Sequence, residues 1–183
     1  KSPKEINRIN KQYLDNNDSA DFSAAQSLYQ INLQYLDQHL HDFLYNLKEL
    51  DIYEDSLIII TSDHGELFGE HDQTAHPWDS TPHEELIEVP LGIKYPNSRF
   101  AGHRYDHIVS HSDIIPTVLN EVFDRDRNEQ NAPLQNDVQR YPVSLSNAAK
   151  RITGPNGYIT QRRGGGMNIH GSITEDMKEQ LED

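Results

Sequence analysis

The chain has 183 residues, 34% of them hydrophobic, with a mean hydropathy of −0.81, which suits one domain with a modest core and polar, solvated stretches around it. No apolar run approaches the roughly 20 residues of a bilayer-spanning helix, and the start does not read as a leader peptide. A formal net charge of −14 disfavours nucleic-acid backbones and anionic membranes and makes any anionic substrate depend on a local cation, while the absence of cysteine excludes a disulfide framework and a thiolate metal site and leaves the compartment open.

Residues 1–22 are polar and rich in Asn and Asp, the composition of a linker or surface loop. Ser23 followed by Gln26 predicts a capping box at the start of a helix. Tyr29, Leu33, Leu36, Leu40, Phe43, Leu47 and Leu50 then recur at alternating steps of four and three. That is one apolar helical face, suited to packing against a sheet, with His39 and His41 facing solvent. Asp51 to Asp55 is a turn, and Ser56 to Thr61 a strand. Its run Leu57-Ile58-Ile59-Ile60 suits a strand buried on both faces of a parallel sheet. Such sheets carry their chemistry just beyond the carboxyl ends of their strands. Asp63-His64-Gly65 stands there: a hard carboxylate beside an imidazole, a plausible ligand pair for a divalent cation. The plainer alternative is a turn, with Asp63 capping and Gly65 at positive φ.

A polar loop with Trp78 spans residues 69–82. Strands are predicted over 88–94 and 105–110, with a turn at Tyr95-Pro96-Asn97-Ser98 between them. Ser112 or Asp113 caps a short helix through Pro116 to Phe123. Residues 124–140 are charged, amide-rich and aperiodic, which reads as a long loop. Beyond them Tyr158-Ile159-Thr160 is a faint strand signal and Gly164-Gly165-Gly166 a flexible break. Ser172 and Glu175 suggest a capping box for a last helix ending near Leu181. The expected organisation is a linker (1–22), an α/β part (23–123) and a loop-rich C-terminal extension (124–183).

Ser62-Asp63-His64-Gly65-Glu66-Leu67-Phe68-Gly69-Glu70-His71 resembles the signature of the sulfatase branch of the alkaline phosphatase superfamily. Tyr29 to Leu50 is similar to the helix before that signature. Glu84 to Leu91 and Val109 to Leu119 resemble the two segments after it, in order and at near-family spacing. The resemblance implies an α/β fold: part of a mainly parallel sheet flanked by helices, with a weakly structured C-terminal extension. It implies that Asp63 and His64 are metal ligands completing a site begun upstream, for Ca²⁺, Mn²⁺, Zn²⁺ or Mg²⁺; imidazole suits Mn²⁺ or Zn²⁺ better than Ca²⁺. It gives His76 a catalytic and substrate-binding role, at the anionic group or the leaving oxygen, as a donor or general acid. His71 would orient the metal ligands by hydrogen bonding and Glu66 would support the Asp-His turn. Glu84 and Glu85 would bond backbone or basic groups. Glu88 stands where the pattern often has arginine.

Other signals have plainer readings. His103, His107 and His111 recur every four residues, a metal-binding spacing on a helix, but Ile108-Val109 favours a strand. Arg162-Arg163 reads as a solvated basic pair. The family's nucleophile motif, Cys/Ser-x-Pro-x-Arg, does not occur, nor do the upstream acidic ligands. The chain is therefore expected to be the C-terminal part of a larger hydrolase, inactive alone, with the missing N-terminal part as its partner. The substrate implied is a small anionic ester, a sulfate monoester. The alternatives are a phosphonate monoester or phosphodiester hydrolase, a phosphoglycerol transferase, or a non-catalytic pseudoenzyme. A sheet lacking its first strands would expose an apolar edge, so a homo-oligomer is also expected.

Overall fold

The computed structural model describes residues 22–123, 134 and 136–182. The expected linker, apart from Phe22, and residues 124–133 and 135 of the predicted long loop lie outside the described residues. The chain divides into two compact units.

The first unit is described over residues 22–55 and 65–77. Helix α1 (Phe22–Glu49) carries the periodic stripe. Ser23 lies inside the helix rather than capping it, and Ser27 Oγ donates to the Ser23 carbonyl at 2.8 Å. The helix ends where Asp51 turns left-handed (φ 57), which lets Ile52 N–H and Tyr53 N–H donate back to the Leu47 carbonyl, each at 3.1 Å. No residue of α1 is buried. Its apolar face is exposed, Leu36 at 60% and Phe43 at 52%.

Strands β2 (Leu67–Phe68) and β3 (Thr74–Ala75) pair antiparallel around a 3₁₀ turn, Glu70–Asp72. Leu67 is buried, and Phe68 meets Tyr29 of α1 edge-on at 5.2 Å. Gly69 has φ 115, and a Cβ there would lie 2.5 Å from the Phe22 ring. Only glycine fits that combination of dihedral and contact.

The second unit is described over residues 56–64, 78–123, 134 and 136–182. Strand β1 (Ile58–Thr61) pairs antiparallel with β4 (Leu91–Lys94), Ile59 opposite Ile93. Between them in sequence lies the short helix α2 (Glu84–Ile87). The strand predicted over 105–110 is irregular chain. Ser110 caps the 3₁₀ turn His111–Asp113 that leads into α3 (Ile114–Phe123); its N–H donates to Asp113 Oδ2 at 2.8 Å. The cap is thus Ser110, with Asp113 as its reciprocal partner. Asp113 is buried against Arg140 Nε at 3.1 Å.

Residues 143–171 form a four-stranded antiparallel meander: β5 (Val143–Leu145), β6 (Ala149–Gly154), β7 (Gly157–Arg162) and β8 (Met167–Gly171). Helix α4 (Glu175–Glu182) packs on it, and Thr174 Oγ1, not Ser172, accepts the Met177 N–H at its start. Ile152, Ile159 and Met177 form the core there, with Tyr141, Ile173 and Leu181 beside them.

Two expectations are corrected. The described sheets are all antiparallel: β1 has one neighbour, β4, and Ile60 is 42% exposed. The architecture is mixed α/β, without the parallel sheet among the described residues. The C-terminal part is not weakly structured either. Its strands bury polar beside apolar residues, Arg151 next to Ile152 and Thr160 next to Ile159, which erases the period-two hydropathy pattern.

Candidate metal centre

β1 delivers Ser62, Asp63 and His64 past its carboxyl end. Ser62 Oγ donates to the His64 carbonyl at 2.7 Å, and the His64 N–H donates to Asp63 Oδ1 at 3.0 Å. These bonds fix the loop locally. The plain turn is not formed as expected: Asp63 accepts only from the N–H of the next residue, and Gly65 does not take a positive φ. The second carboxylate oxygen, Oδ2, lies 3.7 Å from His64 Nε2, and the Asp63 side chain is 88% exposed.

That arrangement fits a divalent ion. Two ligand bonds of about 2.1 Å span up to about 4.2 Å, so atoms at this separation can share one cation. Carboxylate with imidazole suits Mn²⁺ or Zn²⁺ and admits Mg²⁺. Behind the pair, Thr61 Oγ1 lies 3.4 Å from His111 Nε2.

In the first unit, Glu66 Oε2 lies 3.0 Å from His76 Nδ1. The carboxylate therefore orients the ring and sets which nitrogen faces away from it. Ala75, just before His76, has φ 62, and His71 and Asp72 have φ 57 and 55. Left-handed non-glycine residues this dense mark a strained turn. Glu70 Oε2 accepts the Phe68 N–H and braces it. His71 is exposed on that turn.

The three histidines spaced by four have different settings. His103 stacks on Tyr105, His107 Nε2 meets the Leu134 carbonyl at 3.0 Å, and His111 meets Thr61. Arg162 and Arg163 are exposed. Glu84 does bond a basic group, Arg151, at 3.1 Å.

Arg151 itself was not singled out by sequence. It is 3% exposed, donates to the Pro82 carbonyl at 3.1 Å and lies 3.7 Å over the Tyr158 ring. No strand is predicted around it, and an arginine in aperiodic sequence is indistinguishable from a solvated one without the register.

No helix among the described residues is long and apolar enough to cross a membrane. A family model described as Sulfatase matches residues 3–122. The low-salt glycan biosynthesis sulfotransferase Agl7 of Haloferax volcanii is 35% identical over 115 residues, 60% of this chain and 27% of that protein. Arylsulfatase K of Canis lupus familiaris is 34% identical over 85 residues, 45% of this chain and 15% of that protein. An arylsulfatase of Clostridium perfringens is 27% identical over 100 residues, 52% of this chain and 20% of that protein. The chain thus spans about a quarter or less of the length of these relatives.

Proposed function

The chain belongs to the Sulfatase family, and from that premise we propose that it supplies half of a divalent-metal site to an enzyme cleaving sulfate monoesters. The observation that carries this reading is the Asp63–His64 pair, with Oδ2 and Nε2 3.7 Å apart at the end of β1. Two arylsulfatases among its relatives support the same ester class.

Asp63 and His64 would hold the cation, which would supply a lowered pKa at a nucleophile and polarisation of a sulfuryl oxygen. His76, oriented by Glu66, donates to the sulfate group or protonates the leaving oxygen. The strained turn bearing His71 keeps the signature loop in shape. The nucleophile and the remaining ligands come from sequence outside this chain, and this chain alone turns over nothing. The edge of β1 that is unpaired among the described residues takes a parallel strand from the same source, which covers Ile60, and the α/β part ends near residue 123.

The test uses the full-length protein with 4-nitrocatechol sulfate and 4-nitrophenyl phosphate. The reading predicts sulfate release in preference to phosphate release, and loss of more than about 100-fold in kcat/KM in Asp63→Ala, since even groups that only support metal ligands cost up to that factor. Undiminished activity in Asp63→Ala, or phosphate release alone, would overturn it.

A further inference from the structure

The meander ends in an open edge. β8 pairs with β7 on one side, and its other side is unpaired among the described residues. Natural sheets blunt such edges with charged residues, proline, bulges or very short strands. β5, at the opposite edge, is three residues long and follows Pro142. β8 has five residues, Met167-Asn168-Ile169-His170-Gly171, with no proline and no Asp, Glu, Lys or Arg, and every one of them is exposed.

The register decides which groups face outward. Arg162 N–H donates to the Gly166 carbonyl at 3.0 Å, and Ser172 N–H to the Asn156 carbonyl at 2.9 Å. These bonds bracket the β7–β8 pairing, and bonded positions alternate along an antiparallel ladder. Asn168 and His170 therefore turn their backbone groups to β7, and Met167 and Ile169 turn theirs outward. Ile169 pairs with Ile159, so its side chain and that of Met167 lie on the face that carries α4. Met177 of α4 covers Ile159, yet Ile169 is 54% and Met167 53% exposed. A strand docked on this edge would meet free backbone groups and an apolar side-chain pair together.

The strip is complementary to itself. Laid antiparallel about Ile169, two copies of β8 place Ile169 opposite Ile169, where each donates its N–H to the other's carbonyl. Met167 falls opposite Gly171, a long side chain over a residue with none, and Asn168 falls opposite His170. No charge meets a like charge. The ends match as well. Arg162 and Arg163 stand before β8 and Glu175 and Asp176 after it, all four exposed, although Glu175 also meets Lys178. The antiparallel arrangement brings the basic end of one copy to the acidic end of the other; a parallel one would set like charges together. In a chain of net charge −14, an uncharged strip with basic residues at one end is where two copies repel least.

We propose that β8 is the interface of a symmetric dimer of this chain. The two β8 strands pair antiparallel about Ile169 and make one sheet continuous through both copies. A twofold axis between the two Ile169 residues generates the contact from the same patch on each copy. The interface uses none of the α1 stripe and is independent of the sulfatase reading.

Sedimentation equilibrium of the full-length protein tests it, wild type beside Ile169→Lys and Ile169→Pro. The first substitution sets like charges opposite each other at the axis, and the second removes an N–H that points outward, not one bonded to β7. Wild type should be a dimer, and each variant should weaken dimerisation about tenfold or more while circular dichroism stays unchanged. A wild type that is monomeric throughout, or a dimer constant that both variants leave within about twofold, overturns the proposal. A monomer whose Ile169 amide is protected from exchange gives the edge to a strand from elsewhere in the protein and overturns it too. Should both variants unfold, Ile169→Cys decides. This chain has no cysteine of its own, and Cα atoms of a hydrogen-bonded antiparallel pair stand about 5.5 Å apart, within disulfide reach. A disulfide joining residue 169 of the two copies, identified by mass spectrometry, upholds the symmetric pairing, and its absence under oxidising conditions overturns it.

Discussion

The Glu66–His76 contact shows how much a single neighbour decides for a histidine. At 3.0 Å the carboxylate fixes the ring's orientation, so Glu66→Ala should lower kcat about tenfold or more with little change in KM, read from sulfate-ester turnover of the full-length protein. A KM effect alone would make Glu66 a binding group rather than a positioning one. Tyr95 offers a second residue-scale test. Burial, then Tyr105 and Glu121, push its pKa up from 10.0 to about 12, against the opposing pull of Arg99. A pKa raised in the folded state contributes stability that is whole below the unfolded value and is lost as pH rises through the folded one. Denaturant midpoints should therefore fall between about pH 10 and 12, and Tyr95→Phe should remove that part of the fall. At this scale Asp63 and His64 stand out because the signature Ser62 to His71 is contiguous in sequence, whereas His76 stands outside it and is singled out by the resemblance alone. Glu66 is read at the Asp-His turn instead, because the hairpin of β2 and β3 lies between it and His76, ten positions on, and no local pattern brings the two together.

Among the elements, α1 was the most legible: a stripe at steps of four and three has one helical solution. Its start differs from the expectation: Ser23 has the local signature of a cap, yet the helix begins at Phe22. The meander was the least legible. β6 and β7 bury Arg151 and Thr160 as fully as Ile152 and Ile159, so hydropathy does not alternate and only the single faint signal at Tyr158 to Thr160 survived. The same packing makes a prediction. Ile159 is fully buried against Ile152 and Met177, and Ile159→Ala should cost about 2–5 kcal/mol, measured by denaturant unfolding. A cost near zero would mean that the meander is not held by this core.

At the scale of the whole molecule, the governing fact is the apolar surface exposed among the described residues. Tyr29, Leu33, Leu36 and Phe43 are each at least 42% exposed along one helix, and Ile60 lies exposed on β1. Contiguous apolar patches of this kind drive association. The isolated chain should therefore sediment as concentration-dependent oligomers, and Leu36→Glu with Phe43→Glu should shift it towards monomer. A monomer at all concentrations would show that the stripe is not sticky. The expected parallel sheet was not legible in outcome because register and neighbours are properties of partners, and β1 finds only β4 among the described residues.

The central claim is that Asp63 and His64 hold a divalent ion. Its most direct test is metal content and calorimetric titration with Mn²⁺, Zn²⁺ and Ca²⁺ on the full-length protein, wild type beside Asp63→Ala. The account predicts binding by wild type that is lost in Asp63→Ala while the fold persists. Equal binding by both proteins, or none by wild type, would contradict it.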